Sequence, residues 1–117
     1  MKISKMLRSF KFAFAGMVHL VRFENNAQFH FLASLLVIFV GFWLKINKNE
    51  WIIIIFAMAL VWSAEAFNSA IEKLCDRVEP KKDPIIGKIK DMAAAGVLFL
   101  AIAAAIVGCM VFLPKIF

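Results

Sequence analysis

Residues 63–76 read SAEAFNSAIEKLCD. The stretch starts inside an apolar run, yet it carries Glu65, Asn68, Glu72 and Asp76. At about 100° per residue, Asn68, Ser69, Glu72 and Asp76 all fall within roughly a third of the helix circumference around Glu65, so the polar groups form one stripe. An ionised carboxylate at the centre of a membrane helix costs at least ~2.5 kcal/mol, and such residues are retained for function. Asn68 and Ser69 suit a purely structural role, hydrogen-bonding between helices. A buried acid without a basic neighbour does not.

The surroundings of the stripe set its depth. The chain has 117 residues, 63% of them hydrophobic, and a mean hydropathy of +0.85, well beyond an ordinary soluble domain, whose apolar share is nearer half. It reads as an all-α integral membrane protein, residues 1–117 forming one membrane-embedded unit with no separate soluble domain. Three runs are long enough to span, at about 20 residues each: residues 29–46 (FLASLLVIFVGFWLKI and its flank), 51–71 (from WIIIIFAMALVW) and 92–113. NKNE at 47–50 reads as a polar turn. RVEPKKDPIIGK at 77–88, with Pro80, Pro84 and Gly87, reads as a loop. With the second span starting near Trp51, Glu65 lies roughly 9 Å inside one boundary and Glu72 lies at it.

Ahead of the spans, residues 3–22 place Ile3, Met6, Leu7, Phe10, Phe14, Met17 and Val18 at helical spacing, with Lys2, Lys5 and Arg8 on another side. This is the pattern of an amphipathic surface helix. A cleaved signal peptide is the competing view, but FAFAGMVHLV is weak as its apolar region beside the runs that follow. Basic residues crowd the N-terminal segment (Lys2, Lys5, Arg8, Lys11, Arg22) and the second loop (Lys73, Arg77, Lys81, Lys82, Lys88, Lys90), against Lys45 and Lys48 in the first loop. By the positive-inside rule the N-terminus and second loop are cytoplasmic and the C-terminus lies outside. The formal net charge of +6 therefore belongs to topology and anionic lipid rather than to nucleic acid. Cys75 and Cys109 lack any disulfide or zinc spacing, and His19 and His30 stand alone.

Two further groups return to the boundary reached by Glu72. Glu24 sits just before the first span, so two carboxylates from different helices can meet one divalent cation. Lys90, in KIKD at 88–91, starts the third span and can face a polyphosphate. Hard oxygen ligands for Mg²⁺, a lysine for phosphate charge and a buried carboxylate as base are the parts of phosphoryl transfer. No Walker A pattern or kinase glycine loop is present: IIGKIKD lacks the earlier glycine and the following Ser or Thr.

EAFNSAIEKLCDR at 65–77 and KIKDMAAAGV at 88–97, with SFKFAFAG and ENNAQFH upstream, resemble the small prokaryotic integral-membrane lipid kinases, the diacylglycerol kinase and undecaprenol kinase family. The likeness covers nearly the whole chain. It implies a homotrimer of three-span subunits, each with an N-terminal surface helix, in the cytoplasmic (inner) membrane, with MgATP sites shared between subunits. It implies Glu65 as general base and Glu24 and Glu72 as metal ligands. Asn68 and Asp76 match polar residues of the family's site, and Lys90 and Asp91 its nucleotide-contacting pair. Lys81, Lys82 and Asp83 fall where the family's loop approaches ATP, and Lys5 and Phe12 near further nucleotide contacts. One departure is Gln28, where many relatives carry a basic residue.

The expected reaction is ATP- and Mg²⁺-dependent phosphorylation of a membrane lipid hydroxyl, diacylglycerol to phosphatidic acid first, with undecaprenol as the alternative acceptor. The bilayer itself holds one substrate, which is how so short a chain can be an enzyme. A small cation or multidrug transporter is the rival from another class, because an intramembrane Glu can mark an ion path. An odd span count and a stripe gathered at one boundary speak against it. In the third span Ala101/Ala105 and Ala104/Gly108 are small-residue pairs that serve either contact between subunits or packing within one.

Overall fold

The computed structural model describes all 117 residues as four helices: α1 Ile3–Phe23, α2 Asn25–Trp43, α3 Lys48–Val78 and α4 Pro84–Ile116. The last three are long and apolar enough to cross a membrane. At 1.5 Å per residue α2 is about 29 Å long, close to the hydrocarbon thickness, whereas α3 and α4 are nearly 50 Å long and extend well past it.

Each junction follows from local chemistry. Between α1 and α2 only Glu24 leaves the helical conformation, with φ −100° and ψ 118°. ENNAQFH therefore breaks the apolar pattern without breaking the helix for more than one residue, and α2 begins at Asn25 instead of near Phe29. It ends at Trp43, short of the expected Ile46. Lys45 there adopts a left-handed φ of 52°, and the amides of Lys45 and Ile46 donate to the carbonyls of Phe42 and Gly41 at 3.3 and 3.2 Å. This pair of bonds closes the helix by satisfying carbonyls that would otherwise lack donors.

NKNE is a helix start more than a turn. The Asn47 side chain accepts from the Glu50 amide at 2.9 Å while the Glu50 carboxylate accepts from the Asn47 amide at 3.0 Å, a reciprocal cap worth about 1 kcal/mol. The second loop is also shorter than expected, because α4 starts at Pro84. Proline is well suited to a first helical position, where no amide hydrogen is needed. Asp83 before it accepts from the amides of Ile85 and Ile86 at 2.9 and 3.1 Å.

α3 and α4 run antiparallel and make the main helix pair. Their end near the first turn carries the apolar core: Ile46, Ile54 and Val111 are buried, flanked by Val37, Trp51, Met58 and Val107. The same end is tied by an ion pair from Lys115 to Glu50 at 3.0 Å. Gly41 is buried there because the Trp51 indole lies against it; a Cβ on Gly41 would stand 2.6 Å from that ring. Elsewhere the subunit covers little of itself. Only 10 of 117 residues are buried, and the radius of gyration of 17.2 Å exceeds the roughly 13 Å of a compact chain this long. No residue of α1 is buried.

Candidate active site

Toward the opposite end of the α3–α4 pair three of the buried residues are polar, beside buried Cys75. Glu65, Asn68 and Ser69 are 2%, 4% and 4% exposed, so the inner part of the stripe faces protein. Glu65 is the largest fully buried side chain in the molecule. Its Oε1 accepts from the Ser69 hydroxyl at a long 3.5 Å. Its Oε2 has no hydrogen-bond partner, and neither has Oδ1 of Asn68. Buried polar oxygens are almost always satisfied, and orphans gather where a site awaits a ligand or a proton.

Sequence reasoning passed over one neighbour. His30, on the second turn of α2, places Nε2 3.6 Å from Oε2 of Glu65. Nothing local marks it, since its partner is on another helix far along the chain. The available signal was a titratable ring in an otherwise apolar span, the same signal that singles out Glu65.

Farther out, the stripe meets charge. Glu24 and Glu72 both bear electrostatically on Glu65. Glu24, at the α1–α2 joint, accepts an ion pair from Lys73 of α3 at 2.8 Å. Glu72 is half-buried on α3. Asp76 is exposed and pairs with Lys90 of α4, so the outermost carboxylate of the stripe and the expected phosphate-binding lysine meet each other. No group of three His, Cys, Asp or Glu side chains gathers as a ready-made metal cage.

Beside the Asp76–Lys90 pair, the α3–α4 loop encloses a polar cavity of about 500 Å³ lined by Asp76, Glu79, Lys81, Lys82, Asp83, Gly87 and Lys90, among others. The structure thus brings together five of the residues singled out above. Asp83 is engaged at the same time in capping α4. Asp91 is exposed on α4 outside the cavity wall, and Lys5 and Phe12 are exposed on α1, also outside it. Gln28, the departure noted above, donates to the Arg22 carbonyl at 3.1 Å, closing the end of α1.

Comparison with known proteins decides the family. The profile described as prokaryotic diacylglycerol kinase matches residues 11–112. The chain belongs to this family. It is therefore a membrane protein of lipid-kinase type, which removes the transporter alternative. Undecaprenol kinase of Bacillus subtilis is 34% identical over 115 residues, 98% of this chain and 94% of that protein. Diacylglycerol kinase of Escherichia coli K12 is 34% identical over 79 residues, 68% of this chain and 65% of that protein. The diacylglycerol kinase of Synechocystis is 31% identical over 112 residues, 95% of this chain and 64% of that protein. The chain spans nearly all of the first relative and just under two thirds of the other two.

Proposed function

We propose that the protein transfers the γ-phosphoryl group of ATP to the hydroxyl of a membrane lipid, working as a homotrimer in the cytoplasmic membrane with its N-terminus and second loop in the cytosol. The observation that carries this reading is Glu65, a buried carboxylate with an unsatisfied oxygen, one helical stripe away from a polar cavity rich in lysine. A lipid hydroxyl lies near the interface, and Glu65 waits just below it to receive the proton.

Glu24 and Glu72 are the residues to hold Mg²⁺. Their fit rests on donor chemistry: hard carboxylate oxygens from two elements, too few to enclose a cation alone and so leaving positions for phosphate oxygens and water. When bound, magnesium neutralises charge on the transferring phosphate. Lys81, Lys82 and Lys90 offset the remaining phosphate charge. Lys90 does so by turning from Asp76, and Asp91 stands one residue on to meet the nucleotide. Asn68, with its free Oδ1, donates its amide hydrogens toward the reacting groups. Lys5 and Phe12, on α1 outside the cavity of the single subunit, are further nucleotide contacts in this reading.

The amphipathic pattern of α1, and the absence of any buried residue in it, support its lying along the cytosolic face of the bilayer. The trimer is supported by the small share of each subunit that is buried, which leaves broad faces for lipid and for neighbouring copies.

Diacylglycerol is the first acceptor in this reading, in line with the family profile. Undecaprenol is the second, favoured by the near full-length match to the Bacillus subtilis enzyme. Purified protein given labelled ATP, Mg²⁺ and each lipid in parallel is expected to phosphorylate at least one. Transfer to neither would remove the reading, and the ratio of the two rates names the acceptor.

A further inference from the structure

Two ion pairs hold α3 to its neighbours at the polar end. Lys73 Nζ reaches Glu24 at the α1–α2 joint at 2.8 Å, and Asp76 takes Lys90 of α4. Each pair joins a residue of the proposed site to a counter-charge that it gives up when the site fills. Glu24 turns its carboxylate to a divalent cation, and Lys90 its ammonium to phosphate. Lys73 and Asp76 are then left behind with opposite charges.

These two residues stand three apart on one continuous helix, since α3 runs unbroken from Lys48 to Val78. Side chains at that spacing lie one above the other on the same face and can pair. The side chains of Lys73 and Asp76 are 58% and 66% exposed, so packing locks neither in place. Of the carboxylates that act on the Lys73 ammonium, Glu24 is the strongest and Asp76 comes next, ahead of Glu72. Lys73 thus already stands in the field of a second partner. Once Glu24 is committed to a divalent cation, the attraction that held Lys73 there gives way to repulsion between like charges.

We propose that Lys73 is a positioning residue that changes partners as the site loads: it neutralises Glu24 in the free protein and moves to Asp76 when Glu24 takes Mg²⁺ and Lys90 takes the nucleotide. This rests on the lipid-kinase reading above and deepens it by linking the two ligands. With both bound, every charge of the two original pairs has a partner. With Mg²⁺ alone, Asp76 is still held by Lys90 and Lys73 has nowhere to go. With nucleotide alone, Asp76 has lost its lysine while Lys73 stays on Glu24. Each ligand therefore favours the other, and by linkage each raises the other's affinity by the same factor.

The ¹⁵N resonance of the Lys73 ammonium, assigned by its loss in Lys73→Arg, reads the exchange without turnover. In the free protein it is expected to shift strongly in Glu24→Gln and little in Asp76→Asn. With saturating Mg²⁺ and a non-hydrolysable ATP analogue it is expected to move, and Asp76→Asn then shifts it strongly. Binding of Mn²⁺ in place of Mg²⁺, followed by electron paramagnetic resonance, is a second measurement that holds even if Asp76→Asn fails to fold. Lys73→Met is expected to tighten Mn²⁺ binding about fivefold without nucleotide, the upper range for loss of an exposed pair. With the analogue present the gain shrinks to about twofold, because the variant also lacks the new pair with Asp76. Lys73→Arg is expected to restore the unaltered values in both states, and a lysine with a merely structural role would change both by one factor. An equal change with and without the analogue, or a Lys73 resonance that Asp76→Asn leaves in place in the loaded protein, overturns the exchange while the kinase reading stands. A protein that binds neither Mn²⁺ nor the analogue loses both.

Discussion

Glu65 carries the largest expected effect of any single residue. Glu65→Gln keeps the volume and removes the charge, so turnover is expected to fall to background while the protein elutes as an oligomer of unchanged size. Near-normal turnover would refute its part in proton removal. The outer carboxylates make a subtler case. Lys73 holds Glu24 at 2.8 Å, a cation standing where the proposed metal site would have one. Lys73→Met is expected to lower the Mg²⁺ concentration for half-maximal activity by about two- to fivefold, the range expected of an exposed pair. Glu72→Ala should raise that concentration or abolish activity, and an unchanged Mg²⁺ dependence counts against the ligand assignment. The helical stripe from Glu65 to Asp76 was legible in the sequence because its members share one helix and one period. His30 was not legible, because the 3.6 Å approach that gives it meaning joins two helices, and no periodicity encodes such a contact. The pairing of Lys90 with Asp76 was hidden for the same reason.

The helices themselves could be read from apolar length, while their ends could not. Apolar runs report where hydrocarbon is met, whereas helices end where backbone groups find caps. So α4 starts at Pro84 behind its Asp83 cap, within a stretch that composition marks as loop, and α3 runs on to Val78. That overshoot is useful: the extra turns carry Asp76 and Lys90 out to the rim of the polar cavity. At the other end, the first turn is packed tightly enough to be tested. Gly41→Ala puts a Cβ 2.6 Å from the Trp51 ring, and the overpacking is expected to cost ~1–3 kcal/mol. A lower thermal midpoint, together with a shift in tryptophan emission, would be the readout. A midpoint equal to that of the unaltered protein would mean the indole swings away without cost.

As a whole molecule, the subunit has a firm apolar end, clipped by Lys115 and Glu50, and a polar end whose candidate site groups come from three helices. The expected solution species is a particle of three 13.2 kDa chains by light scattering corrected for detergent. An active monomer at high dilution would remove the shared-site arrangement. The scarcity of buried residues has a consequence for how such a protein changes over generations. A position that meets only acyl chains asks for apolar character and little else, so exchanges among Leu, Ile, Val, Phe and Met there pass without penalty. Drift is therefore cheap over most of the surface and costly along one narrow stripe, and lineages can diverge far in sequence while the same chemistry persists.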